Sequence, residues 1–222
     1  MNAKLLSDRT ERLRDASLLA IFRMYTPEQA VEGAAAAVRG GFEAVEVTMN
    51  TPGATDAIAE IARSGGPIVG VGTITAPEQI KQAYDAGAEF IVTPVVIPEA
   101  VEAAHDLSLP IAMGASTPTE IFTARRAGAD WVKIFPGELL GGPDYVREVL
   151  GPLDGTKVLV TGGLTAENYL GYLDAGADLV GFAGSVFPRD IAAEGRYEEF
   201  ERRAIEVCRR FDLYEADGST AS

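Results

Sequence analysis

The sequence predicts a (β/α)8 barrel of the TIM type, and three observations carry this prediction. Four segments share one pattern, in which a glycine is followed within three residues by a short apolar strand; they are residues 41–46, 87–92, 128–133 and 176–181. Their glycines are 46, 41 and 48 residues apart. One strand–helix unit takes about 25 residues, so each interval has room for a further strand. Apolar stretches fill those positions at residues 68–72, 110–114 and 157–161, and another lies at 18–23. Eight strands alternating with helices in one unbroken run are typical of a closed parallel barrel.

The helices follow in order along the chain. A helix over residues 2–16 precedes the first strand. Three later helices begin with a Thr followed three positions on by an acid or an amide, the capping box that satisfies free backbone N–H groups; these Thr residues are Thr26, Thr75 and Thr117. The final helix has an apolar stripe that would pack on the barrel, namely Tyr197, Phe200, Ala204, Val207 and Phe211.

We expect residues 1–214 to form one barrel domain, because no linker rich in Pro, Gly or Ser interrupts the run, and residues 215–222 to form a flexible polar tail. A doubly wound Rossmann-like sheet is the alternative. It would need a glycine fingerprint at the first strand–helix junction, and residues 22–26 contain no glycine. We expect Trp131 to face outward, against a helix.

Composition narrows the chemistry. Nineteen Lys and Arg against thirty-three Asp and Glu give a net charge of -14, which repels nucleic acid and anionic membrane surfaces. Cys208 and His105 are the only residues of their kinds, which excludes disulfide frameworks, thiolate or His-ligated metal sites and His-dependent nucleophiles within one chain. No apolar stretch is long enough for a membrane span, and the N-terminus lacks the apolar centre of a signal peptide. We therefore expect a cytoplasmic protein that uses no metal and no cofactor.

The repeat also compares positions on different strands. Five residues after each repeated glycine lie Glu46, Val92, Lys133 and Gly181, which should occupy equivalent heights on strands 2, 4, 6 and 8. Strands 2 and 6 are diametrically opposed in a ring of eight. If this position points inward, a carboxylate faces an amine across the barrel, and Gly181 leaves space beside them. Two other interpretations stay open: an opposite parity that places both groups in solvent, and a structural ion pair.

A buried lysine of this kind suits Schiff-base chemistry. A free amine has a pKa of about 10.4, so roughly one molecule in 2500 is deprotonated at pH 7, and desolvation in an apolar barrel would raise that fraction. Direct contact with Glu46 would instead favour the ammonium form. We therefore expect Glu46 and Lys133 to be separated by a substrate-sized gap or by water, and not joined in a tight salt bridge.

The ends of strands 7 and 8 carry closely spaced glycines. Thr161, Gly162 and Gly163 end strand 7, while Gly184 and Ser185 end strand 8. Many barrels bind phosphate here, because glycines let backbone N–H groups approach the anion and a following helix start contributes its positive end. The alternative is that these glycines only form turns.

Arg23, after strand 1, is the only cation expected at the carboxyl ends of strands 1 to 4, which suits a substrate carboxylate. Its alternative role is that of an ordinary surface arginine.

Six motifs together resemble one enzyme family, the class I aldolases that act on 2-keto-3-deoxy-6-phosphogluconate and 4-hydroxy-2-oxoglutarate. The motifs are VEVT at 45–48, GVGT at 70–73, FIVTP at 90–94, Gly114 with TPTE at 117–120, VKIFP at 132–136 and TGG at 161–163. The resemblance covers roughly residues 15–190 in unbroken order.

The resemblance implies a role for each matching residue. Lys133 matches the Schiff-base lysine of the family and Glu46 its general acid/base. The residues that match the lining of its pyruvate pocket are Thr73, Pro94, Phe135 and Thr161. Those that match its phosphate contacts are Gly162, Gly163 and Ser185. The family cleaves a phosphorylated 2-keto-3-deoxy acid reversibly into pyruvate and glyceraldehyde 3-phosphate without a metal, and its members are similar in forming homotrimers.

The chain departs from the family pattern at two places. Asn50 stands where some members carry an arginine for the substrate carboxylate, so we expect Arg23 to take over that role. Asparagine also occurs there in the related enzymes for the galactonate epimer, which leaves the C4 stereochemistry of the substrate open. The loop over residues 95–97 is apolar, so no polar substrate contact is expected from it.

Two rival functions stay open. One is a metal-free phosphosugar isomerase or epimerase, and the other is a non-catalytic barrel that binds a sugar phosphate.

Overall fold

The computed structural model describes residues 1–218, and within them eight parallel strands close into a barrel in sequential order, each paired with its neighbours and β8 with β1. This confirms the (β/α)8 prediction. The strands are β1 (Leu18–Phe22), β2 (Ala44–Thr48), β3 (Ile68–Gly72), β4 (Ile91–Val92), β5 (Ile111–Ala115), β6 (Trp131–Ile134), β7 (Val158–Thr161) and β8 (Leu179–Phe182).

Helices alternate with these strands and surround the barrel. They are α1 (Ala3–Ala16), α2 (Pro27–Arg39), α3 (Ala54–Ser64), α4 (Glu78–Asp85), α5 (Pro98–Asp106), α6 (Pro118–Ala127), α7 (Gly142–Leu150), α8 (Tyr169–Asp174), α9 (Arg189–Ala193) and α10 (Tyr197–Ala216). The expected helix before the first strand is α1, with Asn2 as its N-cap. Helix α10 buries Phe200, Ala204 and Val207, which belong to its predicted stripe.

The end of α10 meets the segment expected to be a tail. The helix includes the first two residues of that segment, 215 and 216, while residues 219–222 lie outside the part of the chain that the structure describes. Within residues 1–218, no helix combines the length and the apolar character that a membrane crossing needs.

The three predicted capping boxes have three different outcomes. Thr117 and Glu120 form the complete box, in which each side chain bonds the backbone of the other residue. Thr26 accepts the N–H of Gln29, but the Gln29 side chain accepts from Tyr25 instead of the N-cap.

The prediction of a capping box at Thr75 is wrong, because α4 begins later, at Glu78, and no side chain caps its first turn. There the Gln79 amide oxygen accepts from the N–H groups of Thr75 and Ala76.

Alternating residues of each strand separate two apolar cores. One core lies between the strands and the helices and includes Val45, Val132 and Phe182. The other fills the barrel interior, where Leu13 of α1 closes the end at which the strands begin. Trp131 belongs to this interior core and is 1% exposed. The expectation of an outward Trp131 is therefore wrong, because side chains two positions apart on a strand share a face and Lys133 points inward.

Candidate active site

Strands β2 and β6 place a carboxylate and an amine on opposite sides of the barrel interior. Glu46 lies two positions after Ala44, and Lys133 two positions after Trp131; Ala44 and Trp131 both belong to the interior core. Glu46 is 1% exposed and Lys133 is 6% exposed. The parity assumed from the repeat is thus the one the structure has, and neither group is in bulk solvent.

Glu46 and Lys133 do not form an ion pair or a hydrogen bond with one another; among the ion pairs of residues 1–218, neither side chain takes part. Burial is the main influence on both. Desolvation raises the pKa of the Glu46 carboxyl, although the charges of Lys133 and Arg23 oppose this shift. Desolvation lowers the pKa of the Lys133 ammonium, which Glu46 opposes and Arg23 assists. Burial thus favours the neutral form of each group, while the charge interaction between the two opposes both shifts.

Gly72 on the neighbouring strand makes room for the Glu46 carboxyl group. A Cβ at Gly72 would lie 1.6 Å from Glu46 Oε1 and 2.3 Å from its Cδ. Gly181 does not have the expected role of leaving space beside the pair, because a Cβ there would meet Thr161 Cγ2 at 2.7 Å and Ile21 Cδ1 at 2.9 Å. The small residue that makes room for the Glu46 carboxyl group is therefore on β3 and not on β8.

Polar atoms without partners lie in this interior. Glu46 Oε2 and Thr161 Oγ1 are both buried, and neither has a hydrogen-bond partner within the described residues. Lys133 Nζ lies 5.2 Å from the centroid of the Phe135 ring. Buried polar groups in proteins are almost always hydrogen-bonded, so the two oxygens mark a place where a polar ligand is expected to bind.

Arg23 and Thr73 lie at the rim above Glu46. Arg23 Nη2 is 3.5 Å from Thr73 Oγ1, and its charge reaches both Glu46 and Lys133. Thr73 has φ 59, a left-handed conformation that is a genuine outlier for a β-branched residue. Strained backbone of this kind concentrates at ligand-binding sites. The guanidinium at this rim is exposed and available to an anion.

Pro94 lies against Gly114, the residue of β5 that pairs with Lys133. Gly114 pairs in register with Lys133, and a Cβ at Gly114 would be 2.2 Å from the Pro94 carbonyl carbon. Thr93 holds this contact: its hydroxyl donates to the Val95 carbonyl at 2.7 Å and accepts from the Gly114 N–H at 3.1 Å. The Val95 side chain is 54% exposed.

The loops after β7 and β8 form a cluster of free backbone donors. Gly162 and Gly163 have φ 94 and 87, and the N–H groups of Gly162, Gly163, Gly184 and Ser185 donate to no acceptor within residues 1–218. The Ser185 hydroxyl donates to the Leu164 carbonyl and so joins the two loops.

The structure differs from the expectation in one respect. The next helices, α8 and α9, begin several residues beyond the glycines, so no helix start lies directly at this cluster. Free N–H groups in a glycine-rich turn are still sufficient to bind an anion.

The arrangement can perform addition to a carbonyl group with acid–base assistance. A free amine supplies the nucleophile, a carboxyl group with a raised pKa supplies and recovers a proton, and both are buried away from bulk water. Arg23 and the N–H cluster flank the pair and could bind the two ends of a dianionic substrate. Within residues 1–218, no three or more His, Cys, Asp or Glu side chains are grouped so as to hold a metal ion.

Three residues of the site were missed by sequence reasoning. They are Gly72, Thr93 and Glu138, which respectively admit the Glu46 carboxyl group, hold the Pro94 loop and contact the loop after β7. Gly72 and Thr93 lie within the GVGT and FIVTP motifs, so inward parity or strand-end position could have drawn attention to them. No sequence signal indicated the contacts of Glu138.

Comparison with known proteins agrees with this chemistry. The sequence model of the KDPG and KHG aldolase family matches residues 10–202. The 2-dehydro-3-deoxy-6-phosphogalactonate aldolase of Escherichia coli (strain K12) is 34% identical over 173 residues, which cover 77% of this chain and 84% of that protein. The KHG/KDPG aldolase of the same strain is 33% identical over 181 residues, covering 81% and 85%.

A solved structure is similar over nearly the whole chain. The native KDPGal structure superposes with a TM-score of 0.81 at 31% sequence identity and covers 88% of this chain and 94% of that chain.

Proposed function

We propose a mechanism from one premise: this chain belongs to the KDPG and KHG aldolase family, and it is therefore an aldolase, a lyase that cleaves a carbon–carbon bond. The proposal assigns Lys133 as the Schiff-base nucleophile and Glu46 as the general acid/base. The observation that carries it is the opposed, buried and unpaired arrangement of these two groups, with the pKa of each shifted toward its neutral form.

The reaction begins at the C2 ketone of a 2-keto-3-deoxy acid. The lone pair of Lys133 Nζ forms a bond to C2, and the resulting carbinolamine loses its oxygen as water with a proton from Glu46. This leaves an iminium ion at C2 and a carboxylate at Glu46. The raised pKa of Glu46 supports the first step, because it favours the protonated carboxyl group that this step requires.

Cleavage follows from the same two groups. The Glu46 carboxylate takes the proton of the C4 hydroxyl, the C3–C4 bond breaks, and its electron pair moves to C3 to form an enamine while the aldehyde leaves. Glu46, now protonated, donates its proton to C3 of the enamine and restores an iminium ion. Water then adds at C2 and releases pyruvate and the free amine, and the proton set free in this hydrolysis returns to Glu46. Arg23 is proposed to bind the C1 carboxylate throughout, and Thr73, Pro94, Phe135 and Thr161 to line the pyruvate pocket.

The proposed substrate is 2-keto-3-deoxy-6-phosphogluconate, which yields pyruvate and glyceraldehyde 3-phosphate. Gly162, Gly163, Gly184 and Ser185 would bind the phosphate through their free N–H groups. Ser185 would do so through its backbone, because its hydroxyl already bonds Leu164. 4-Hydroxy-2-oxoglutarate, which yields pyruvate and glyoxylate, is a second proposed substrate, since one relative is a KHG/KDPG aldolase.

The galactonate epimer is the alternative substrate. A relative named for the phosphogalactonate compound is 34% identical to this chain, and Asn50 occupies the position where some members carry arginine. Comparing kcat/KM for the gluconate derivative, its galactonate epimer, 4-hydroxy-2-oxoglutarate and an unphosphorylated sugar acid decides among them. The main proposal requires the phosphorylated gluconate derivative to have the highest value.

Borohydride trapping tests the nucleophile directly. Incubation with pyruvate and sodium borohydride should add one reduced pyruvate unit, and peptide mapping should place it on Lys133. Lys133→Met should show no adduct and no pyruvate release, whereas Lys157→Met, a matched change of a lysine at the opposite end of the barrel, should behave as the wild type does. An adduct on another lysine would contradict the assignment. A phosphosugar isomerase or a non-catalytic barrel predicts no adduct.

We also propose that the protein is a homotrimer, as the family resemblance implies, and that it is located in the cytoplasm. Sedimentation velocity of the wild-type chain should give the mass of three chains, and a monomer or dimer at micromolar concentration would contradict it.

A further inference from the structure

Glu138 follows β6 and contacts the loop after β7 through both its backbone and its side chain. Its N–H donates to the Gly162 carbonyl at 3.0 Å. Its Oε2 accepts from the Tyr172 hydroxyl at 2.7 Å and from Asn168 Nδ2 at 3.1 Å. Tyr172 is completely buried, so this carboxylate, although on an exposed residue, is anchored to the body of the protein.

Asn168 extends this contact to the glycine pair. The same Nδ2 that donates to Glu138 also donates to the Gly163 carbonyl at 3.2 Å, and Asn168 Oδ1 accepts the Thr165 N–H at 2.8 Å. Gly163 itself packs against Glu138, since a Cβ at this glycine would lie 2.5 Å from the Glu138 Cβ. The carbonyl groups of both glycines are thus held from one side by a single connected set of residues, Glu138, Asn168 and Tyr172.

We propose that Glu138 is a positioning residue for the phosphate end of the substrate. Its backbone N–H holds the Gly162 carbonyl, and its side chain accepts from Asn168, which holds the Gly163 carbonyl. The side chain thereby fixes the orientation of a turn whose N–H groups stay free for the anion. Both glycines have φ near +90, a conformation that glycine adopts readily, and a glycine has more conformational freedom to lose than any other residue when the turn is ordered. An unsupported turn would have to be ordered by the substrate, and that ordering would weaken binding. This inference rests on the proposed phosphate site.

If Glu138 acted on the phosphate only through its charge, the expected effect of removing it would be the opposite. A carboxylate near a phosphate dianion repels it, so a residue that acted only through its charge would weaken phosphate binding, and its removal would strengthen it. In the structure the Glu138 carboxylate accepts hydrogen bonds from Tyr172 and Asn168, which suits a positioning role. Positioning and repulsion therefore predict opposite effects of the same substitution.

The test compares Glu138→Ala with Glu138→Gln, which keeps an acceptor oxygen. For Glu138→Ala, the KM for 2-keto-3-deoxy-6-phosphogluconate and the inhibition constant of inorganic phosphate should both rise about tenfold, the size expected for losing a hydrogen bond to a charged group. The kcat for this substrate, and both constants for 4-hydroxy-2-oxoglutarate, should stay within about twofold of the wild type. Glu138→Gln should recover most of the phosphate affinity.

Asp144→Asn is the matched control. Asp144 lies in the first turn of α7 with an 88% exposed side chain, and it pairs with Arg147 instead of the turn. Removing its charge should leave the phosphate inhibition constant unchanged. If Glu138→Ala does not fold, Tyr172→Phe removes one donor to the carboxylate and should shift the same two constants in the same direction.

The possible results separate this inference from the proposed function. A wild-type enzyme that inorganic phosphate does not inhibit would overturn both. Inhibition of the wild type with unchanged or lower constants in Glu138→Ala would overturn the positioning role alone. Equal losses on the phosphorylated and unphosphorylated substrates would also overturn it, because a general structural role predicts that pattern.

Discussion

Gly72→Ala is expected to remove most of the activity by displacing the Glu46 carboxyl group. The substitution adds one methyl group inside the barrel, at a distance of 1.6 Å from Glu46 Oε1 and 2.9 Å from Glu46 Cγ. The added methyl group and the Glu46 carboxyl group cannot both keep these positions, because non-bonded atoms less than about 3 Å apart overlap sterically. The backbone of Gly72 has no left-handed φ, so alanine is compatible with the strand itself.

The size of the effect follows from the packing. Glu46 is 1% exposed, and a Cβ at Gly72 would lie 1.6 Å from its Oε1, so its carboxyl group must move by about 1 Å or more to restore normal contacts. A misplacement of about 1 Å costs about a hundredfold in rate when a group acts in the transition state. Overpacking of a core site costs about 1–3 kcal/mol of stability. For a chain of this length, that lowers the unfolding midpoint by roughly 3–9 °C.

Gly70→Ala is the matched control on the same strand and the same face. Its Cβ would lie 2.4 Å from three atoms of the Phe90 ring, so it also overpacks the interior core, but away from the carboxyl group. The assay is pyruvate release at saturating substrate, with active sites counted by pyruvate and borohydride and stability measured by thermal unfolding. We expect a similar loss of stability in both variants and a loss of kcat of about a hundredfold only in Gly72→Ala.

Two results would refute this reasoning. If Gly72→Ala kept the kcat of the wild type, the position of the Glu46 carboxyl group would not matter in the rate-limiting step. If Gly70→Ala lost activity to the same extent, the effect would come from general distortion of the barrel.

Three further predictions concern the charges around Lys133. The rate of pyruvate trapping should rise with pH as the amine deprotonates, with a midpoint below the ordinary lysine pKa of about 10.4. A midpoint at or above that pKa would contradict desolvation. Glu46→Gln should lower the midpoint, because the carboxylate favours the ammonium form. Arg23→Gln should raise the same midpoint, because the guanidinium disfavours the ammonium form, and should raise KM by about tenfold if it binds the carboxylate. The pKa of Lys133 is lower in the folded than in the unfolded protein, so this lysine destabilises the fold at every pH below its unfolded-state pKa. Lys133→Met should therefore raise the free energy of unfolding at pH 7 by about 1 kcal/mol in denaturant titrations, and a decrease would contradict this.

Much of the barrel could be predicted because its signals are local. Each repeated glycine ends a helix and precedes an apolar strand, and alternation of side chains along a strand has a period of two regardless of what surrounds it. The equivalence of Glu46 and Lys133 follows from those two regularities. Trp131 shows that the alternation has to be applied to every residue of a strand, because the same count that turned Lys133 inward also turned Trp131 inward.

Other features of the site depend on residues that are far apart in the chain. The contact between Gly72 and Glu46 requires the register of β2 against β3, and the position of Pro94 requires the pairing of Gly114 with Lys133. The helix starts could be predicted only in part, since Thr75 has the capping-box spacing and yet α4 begins at Glu78.

The sequence by itself determined the eight-unit barrel, the equivalent heights of the lysine and the carboxyl group on opposite strands and the glycine-rich corner, because each follows from short-range backbone preferences and the two-residue period of a strand. That both side chains point inward was decided by the tertiary structure. Only the tertiary structure decided which glycine admits the carboxyl group, that the amine and the carboxyl group stay unpaired, and that Glu138 contacts the loop after β7. Those outcomes depend on strand register, side-chain volume and burial, which arise only when distant segments are packed together.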